Sequence, residues 1–428
     1  MRAALLCLLT LLALAAPAAA YVPAGKTLLV IGQSGVDKAD AVEEATGVKP
    51  AGAMWYLGVY EEEAAVQETL GQIEAAVASH PGLVVNLGLS FGSASTPSPP
   101  YTPAIAAGAY DATLRELGAR LKALPTAVHV RPGYEFDLFG GQYGPPEAYK
   151  SAYRHVADVV RAEGATNVRF VWHSAGAFWR AADPSLFATG TGTVAGAARG
   201  GPALPIAAFY PGREYVDAFG ISYWQDSCCA GRSAQQSRDE YEHSTRRLLA
   251  EAQAMGLPLH VSESTPAYIG ASSGADSVAW LDRTFQLVED FDIRSLSLIA
   301  IDWKAGGGFF AAPFWNGYWP DARIHAYPDT RERFLAEMKE RRWLTRSEKM
   351  GEWLSKDQQA PSSKPRSTRC TRSRRTSRAR RSGSWRSSGP RYVRRTGKGT
   401  RSSSRRRPTR RSARSRARCA SPTTRRTG

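Results

Sequence analysis

Residues 127–131 read AVHVR, residues 146–163 read PEAYKSAYRHVADVVRAE, and residues 168–172 read VRFVW. The outer two are short runs rich in β-branched and aromatic residues, as strands are. In the middle stretch Tyr149, Tyr153, Val156 and Val160 recur every three or four residues behind Pro146, which suits a first helical turn. Strand, helix and strand in that order make a βαβ unit, and a parallel pair needs such a crossover.

The same pattern extends in both directions. Further strand-like runs lie at 27–32, 53–60, 83–89, 216–223, 259–262 and 296–301, which brings the total to eight. Helical spacing fills 61–80, 103–124, 238–255, 277–290 and 330–341. The strands are mostly continuous apolar runs, as expected of a parallel sheet covered on both faces. Eight such units over residues 21–344 predict an α/β fold, a (β/α)8 TIM barrel with some long loops. A doubly wound open sheet is the alternative, although Gly32-Gln33-Ser34-Gly35 after the first strand fits neither a dinucleotide fingerprint nor a P-loop.

In a barrel of this kind the chemistry belongs at the C-terminal ends of the strands. The fourth strand ends in Val130-Arg131-Pro132-Gly133-Tyr134-Glu135-Phe136-Asp137 and the seventh in Leu259-His260-Val261-Ser262-Glu263-Ser264-Thr265. Each delivers one Glu to the mouth, on strands three steps apart around the ring. Two carboxyls across a cleft can cleave a glycosidic bond: one donates a proton to the leaving oxygen while the other attacks the anomeric carbon or activates water. A separation of about 5–5.5 Å implies a covalent intermediate and retention, and about 6.5–9.5 Å implies inversion. A solvated loop carboxylate or half of an ion pair is the plainer reading of either Glu alone.

Aromatic side chains suited to stacking on sugar rings fall at strand ends: Trp55, Tyr56, Tyr134, Trp172, Tyr223, Trp224 and Trp303. Gln33, Arg131, His173 and Asp302 are candidates for binding hydroxyls or holding the carboxylates. Each aromatic has a packing role as its alternative. No His or carboxylate accompanies His173 at a metal-ligand spacing, and no Gly-x-Ser-x-Gly elbow occurs. The expectation is an enzyme with no metal and no cofactor.

The ends differ in composition from the middle. The chain carries 56 Lys and Arg against 39 Asp and Glu, but 25 of the basic residues and none of the acidic ones lie between Gln358 and Gly428. The first 357 residues are therefore acidic, which excludes a basic globule that coats nucleic acid. Residues 345–428, rich in Arg, Ser, Thr and Pro, lack the apolar content to fold and read as a disordered basic tail. Such a tail is either simply solvated, a product of a shifted reading frame, or a contact for an anionic surface. Residues 1–20 read as a signal peptide: Arg2, an apolar run too short to span a bilayer comfortably, and small residues before Tyr21. This predicts a secreted protein with no membrane span. Cys228, Cys229, Cys370 and Cys419 remain after removal of such a peptide, as a vicinal disulfide or as free thiols.

Over most of residues 21–344 the chain resembles glycoside hydrolase family 26, one of the clan of retaining (β/α)8 glycosidases. The resemblance is carried by Arg131-Pro132-x-x-Glu135, by the helix start Pro146-Glu147-Ala148-Tyr149-Lys150 with Tyr153-Arg154, and by Thr166-Asn167-Val168-Arg169-Phe170-Val171-Trp172. Further marks are Tyr210-Pro211-Gly212-Arg213-Glu214-Tyr215-Val216-Asp217, Gly220-Ile221-Ser222-Tyr223 and the Glu263 strand. It implies Glu135 as acid/base, Glu263 as nucleophile and Tyr223 as a hydrogen-bonding partner of the nucleophile. Tyr134 stands where that family usually has His, and residues 137–142 replace its tryptophan-rich stretch. The implied substrate is a β-linked polysaccharide or oligosaccharide of mannan, glucan or xylan type, without specific nucleic-acid contact. A non-catalytic carbohydrate-binding barrel is the alternative.

Overall fold

The computed structural model describes residues 22–92, 101–137, 142–176, 206–224, 234–267, 274–305, 319–348 and 350. Its core is a closed ring of eight parallel strands: β1 (Thr27–Gly32), β2 (Gly52–Gly58), β3 (Val84–Ser90), β4 (Val128–Pro132), β5 (Val168–Ser174), β6 (Ala218–Trp224), β7 (Leu259–Thr265) and β8 (Ser295–Ile299). Each strand pairs in parallel with the next, and β1 closes the ring by pairing with both β2 and β8. The expected (β/α)8 barrel is the observed architecture. An open sheet would leave β1 and β8 apart, whereas Leu28 to Gly32 lie in continuous register with Ser295 to Ile299.

Helices α1 (Asp37–Thr46), α2 (Glu63–Ser79), α3 (Thr102–Ala106), α4 (Asp111–Ala123), α5 (Pro146–Ala162), α6 (Ala234–Ala254), α7 (Ala275–Asp290) and α8 (Pro328–Glu337) lie between or after the strands, and between β5 and β6 the described residues show a 3-10 turn at Ile206–Phe209. In α5 the buried residues are Tyr149, Ala152, Tyr153, Val156, Ala157 and Val160, the face that the three- and four-residue spacing marks. The single helix expected over 103–124 is two, α3 and α4. The chain turns at Gly108, whose φ of +83° lies in the left-handed region that glycine tolerates without strain. Helix α1, without a counterpart among the helical readings, carries mostly charged and alanine residues and buries Ala39 and Val42.

Two cores follow from strand alternation. One lies between strands and helices and takes Trp55, Leu57, Phe170, Trp172, Phe219, Tyr223, Leu259 and Val261. The other includes the inward-facing Leu28, Val30, Met54 and Val84, with Trp224, Trp303 and Trp319. A short ninth strand, β9 (Trp343–Leu344), adds to β1. The chain keeps contact with the barrel beyond Leu344: Thr345 bridges to Pro50, Arg346 pairs with Glu43, and Met350 is buried. Residues 1–21 and 351–428, which include the stretch expected to be a signal peptide and most of the expected basic tail, lie outside the described residues, as do all four cysteines noted above. Among the described residues no helix is long and apolar enough to cross a membrane.

Candidate active site

The C-terminal ends of β4 to β7 bring Arg131, Glu135, His173, Ser222 and Glu263 into one connected group. Arg131, the fourth residue of β4, points inward and is fully buried. Its Nη1 donates to Glu263 Oε1, and the same nitrogen lies 3.1 Å from His173 Nδ1. His173 Nε2 is 3.1 Å from Ser222 Oγ, and Ser222 Oγ donates to Glu135 Oε1 at 2.5 Å. The two carboxylates singled out in the sequence are thus joined through a guanidinium, an imidazole and a hydroxyl.

Glu263 reaches this group because β7 carries an extra residue. Against β6, Ile221 pairs with Val261 but Ser222 pairs with Glu263; against β8, Leu296 pairs with Val261 and Leu298 with Ser264. Simple alternation gives Glu263 the parity of Leu259 and Val261, which pack outward against the helices. A β-bulge at Ser262 and Glu263 resets that parity and turns the carboxylate to the interior. Glu135 also sits in unusual backbone, with φ of +53°, just past the end of β4. Its carbonyl and that of Tyr134 accept from Gln142 Nε2 at 2.9 and 3.1 Å, and Phe136 N donates to His173 O at 3.3 Å. Asp137 accepts from Ser174 Oγ and from the Ala175 amide, both at 2.7 Å, which ties the loop after β4 to the end of β5.

The two carboxyls have different surroundings. Burial, reinforced by the charge of Glu263, pushes the Glu135 carboxyl up to about 8, against which the Ser222 hydrogen bond and Arg131 act. Glu263, 6% exposed, is ion-paired with Arg131. Burial first, and then the charge of Arg131, holds His173 well below the ordinary imidazole range, so the ring is neutral. Tyr56 and Tyr134 enclose the guanidinium, their centroids 5.2 and 5.5 Å from Arg131 Cζ and their rings edge-on to each other at 5.5 Å.

The other sequence candidates separate by strand parity. Tyr56, Trp224 and Trp303 face the interior or mouth, and Gln33 follows β1 at that same end. Trp55, Trp172 and Tyr223 do not line a cleft. They point outward into the strand–helix core, where Trp172 stacks on Phe136 at 5.1 Å and Tyr223 donates its hydroxyl to Glu242 of α6. The hydrogen bond from Tyr223 to the nucleophile that the resemblance implied is therefore not formed, because Ser222 and Trp224, one residue to either side, take the inward positions. Asp302 pairs with Arg323 at 3.6 Å at the edge of the mouth. Sequence reasoning missed Ser222, Gln142 and Trp319. Ser222 lies two residues after Gly220 on the inward face, a parity signal available in the sequence. Trp319 comes from a distant return segment and completes an aromatic cluster, 5.1 Å from Trp303 and 5.8 Å from Trp224.

No family model matches the chain. In sequence it is 24% identical over 352 residues to "Beta-1,3-xylanase TXYA" of a Vibrio species, a match covering 77% of this chain and 68% of that protein. It is 24% identical over 349 residues to a "Beta-1,3-xylanase" of an Alcaligenes species, covering 76% and 66%. The chain thus spans about two thirds of the length of these relatives. In structure it is similar to the catalytic domain of a family 26 endo-β-1,4-mannanase from Bacillus sp. JAMB-750, with a TM-score of 0.51 and 16% identity over 77% of this chain and 90% of that one. A modular endo-β-1,4-mannanase from Cellulomonas fimi gives 0.50 and 16% over 77% and 74%. This chain is a glycoside hydrolase-like (β/α)8 barrel, similar in fold to the family 26 mannanases and in sequence to β-1,3-xylanases.

Proposed function

We propose that the chain is a secreted glycoside hydrolase that cleaves β-linked polysaccharide by retaining double displacement, with Glu135 as acid/base and Glu263 as nucleophile. The observation that carries this reading is the unequal treatment of two carboxyls at one barrel mouth. Glu135 is pushed up to about 8 and so holds a proton near neutrality, while Glu263 is ion-paired with the buried guanidinium of Arg131. A protonated acid beside an anionic nucleophile is the ground state that the first half-reaction needs. The sequence similarity to two β-1,3-xylanases makes β-1,3-xylan the first substrate to try, ahead of β-1,4-mannan. Tyr56, Tyr134, Trp224 and Trp303 supply the stacking surfaces, and Gln33 hydrogen-bonds a hydroxyl. The leader at residues 1–20 fits export to where such polymers occur.

The test is release of reducing ends by the full chain from β-1,3-xylan, β-1,4-xylan, β-1,4-mannan and β-1,3-glucan, beside Glu263→Ala. Proton NMR of the first product gives its anomeric configuration. Release with retained configuration, lost in the variant, supports the proposal. Inverted product removes the covalent step, equal release by both proteins removes Glu263, and sugar binding without release favours a carbohydrate-binding barrel.

A further inference from the structure

We propose that His173 and Ser222 are positioning residues that fix which oxygen of Glu135 carries the transferable proton, holding Oε1 as an acceptor and leaving Oε2 as the donor. The inference rests on the acid/base reading of Glu135. It follows from the donor and acceptor inventory of the group taken in order. A guanidinium has only donors, so His173 Nδ1, 3.1 Å from Arg131 Nη1, must accept. The imidazole proton is then on Nε2, which donates across 3.1 Å to Ser222 Oγ. With Oγ accepting there, the hydroxyl hydrogen of Ser222 goes to Glu135 Oε1 at 2.5 Å. A carboxylic acid accepts best on its carbonyl oxygen, so the acidic proton occupies Oε2.

The direction of this wire is set at its Arg131 end and does not reverse, because Arg131 cannot become an acceptor. A protonated His173 would face the guanidinium donor-to-donor, which burial and charge both oppose. The groups that act on Glu135 come from several elements: Arg131 on β4 favours its anion, and Glu263 on β7 and Asp137 after β4 disfavour it. Tyr134 and Tyr143 sense its charge in turn, and Tyr134 stacks on His173 with centroids 6.4 Å apart. Among these the Ser222 hydroxyl is the one that hydrogen-bonds the carboxyl itself, and that bond strengthens when Glu135 ionises.

Both half-reactions use this arrangement. In the first, the Oε2 proton passes to the glycosidic oxygen as its bond to the anomeric carbon breaks and Glu263 bonds to that carbon. In the second, water gives a proton to Oε2 while its oxygen bonds to the anomeric carbon and the Glu263 ester bond breaks. The second step needs Glu135 as the anion, the form that Ser222 supports. Loss of the hydroxyl therefore penalises the second half-reaction more than the first.

The variants that test this are Ser222→Ala, which removes only the hydroxyl, and Ser222→Thr, which restores one. Carbon-13 NMR of side-chain-labelled Glu, with Glu135 assigned by comparison with Glu135→Gln, follows its ionisation without any turnover. We expect the Glu135 titration to move up by about one pH unit in Ser222→Ala and to return in Ser222→Thr. On an aryl β-glycoside with a good leaving group, kcat should fall about tenfold in Ser222→Ala while kcat/KM changes less. An unchanged Glu135 titration in folded Ser222→Ala overturns the proposal, and so does an equal fall in both kinetic constants. If the parent cleaves no glycoside the hydrolase reading fails, and the titration alone decides whether the wire exists.

Discussion

Arg131 and Glu263 form an ion pair in the barrel interior, with the guanidinium fully buried and the carboxylate 6% exposed. One nitrogen of that guanidinium serves both Glu263 and His173. A pair this deep has value mainly because breaking it leaves an uncompensated charge. Arg131→Met should lower stability by about 3–5 kcal/mol in denaturant unfolding at pH 7. Arg131→Lys keeps the charge but not the planar fork, and should lower kcat/KM by about 10²-fold or more with a smaller loss of stability. Near-parental turnover in Arg131→Met would separate this pair from the chemistry.

The carboxyl pushed up to about 8 sets a pH limit. In the general-acid role proposed for it Glu135 must be protonated, so kcat/KM on polymer should fall as pH rises through about 8. Glu135→Gln has no proton to lose, and its residual rate should be flat through that range. Its loss should be several orders of magnitude on polymer and much smaller on an aryl glycoside whose leaving group departs unaided. A basic limb that persists unchanged in Glu135→Gln would assign the ionisation to another group.

Much of this was legible from apolar runs alone. The eight strands and their parallel pairing follow from continuous buried runs with helical stretches between, and Glu135 and Glu263 follow from their place at strand ends. Of the strand-end aromatics, Trp55, Trp172 and Tyr223 take the packing role: on β2 and β5, buried on both faces, little in the sequence says which side is inward, whereas on β6 the small Gly220 and Ser222 alternate with Phe219, Ile221 and Tyr223 and mark it. The bulge at Ser262 and Glu263 had no signal either, since an extra residue in a run of Ser, Glu and Thr changes neither composition nor period. The group around Arg131 joins residues 131, 135, 173, 222 and 263, and only closure of the ring brings them together.

Gly88 on β3 lies against the same group. A Cβ there would come within 2.8 Å of the Tyr56 ring, 3.1 Å of Arg131 Nη2 and 3.1 Å of the Tyr134 ring. Gly88→Ala should therefore push the rings off the guanidinium and disturb the Arg131 contacts with Glu263 and His173. The expected result is a fall in kcat of about tenfold or more, with an overpacking cost of about 1–3 kcal/mol in thermal unfolding. Full kcat at reduced melting temperature would show that the rings pack without positioning Arg131.

At the opposite end of the barrel interior, His129 and His260 lie with ring centroids 5.1 Å apart, both buried. They line a small cavity with Val22, Arg169, Val171, Asp217 and Ala218. Burial, then the charges of Arg169 and Arg131, lowers His129 to about 4, and burial holds His260 well below its ordinary range. A histidine kept neutral in the fold contributes stability that is fully present above its unfolded value near 6.5 and is lost as pH falls toward its folded value. Glu135 has the opposite sign, because its raised value contributes at low pH and is lost as pH rises from about 4.5 through 8. Acidification from pH 7 to 4 therefore sets the two effects against each other, and Glu135→Gln removes the opposing contribution of that carboxyl. In that background the melting temperature should drop steeply between pH 6.5 and 4, and adding His129→Gln should flatten the slope whatever it does to the absolute value. Identical slopes in the two proteins would mean that the acid sensitivity of the fold lies elsewhere than in this pair.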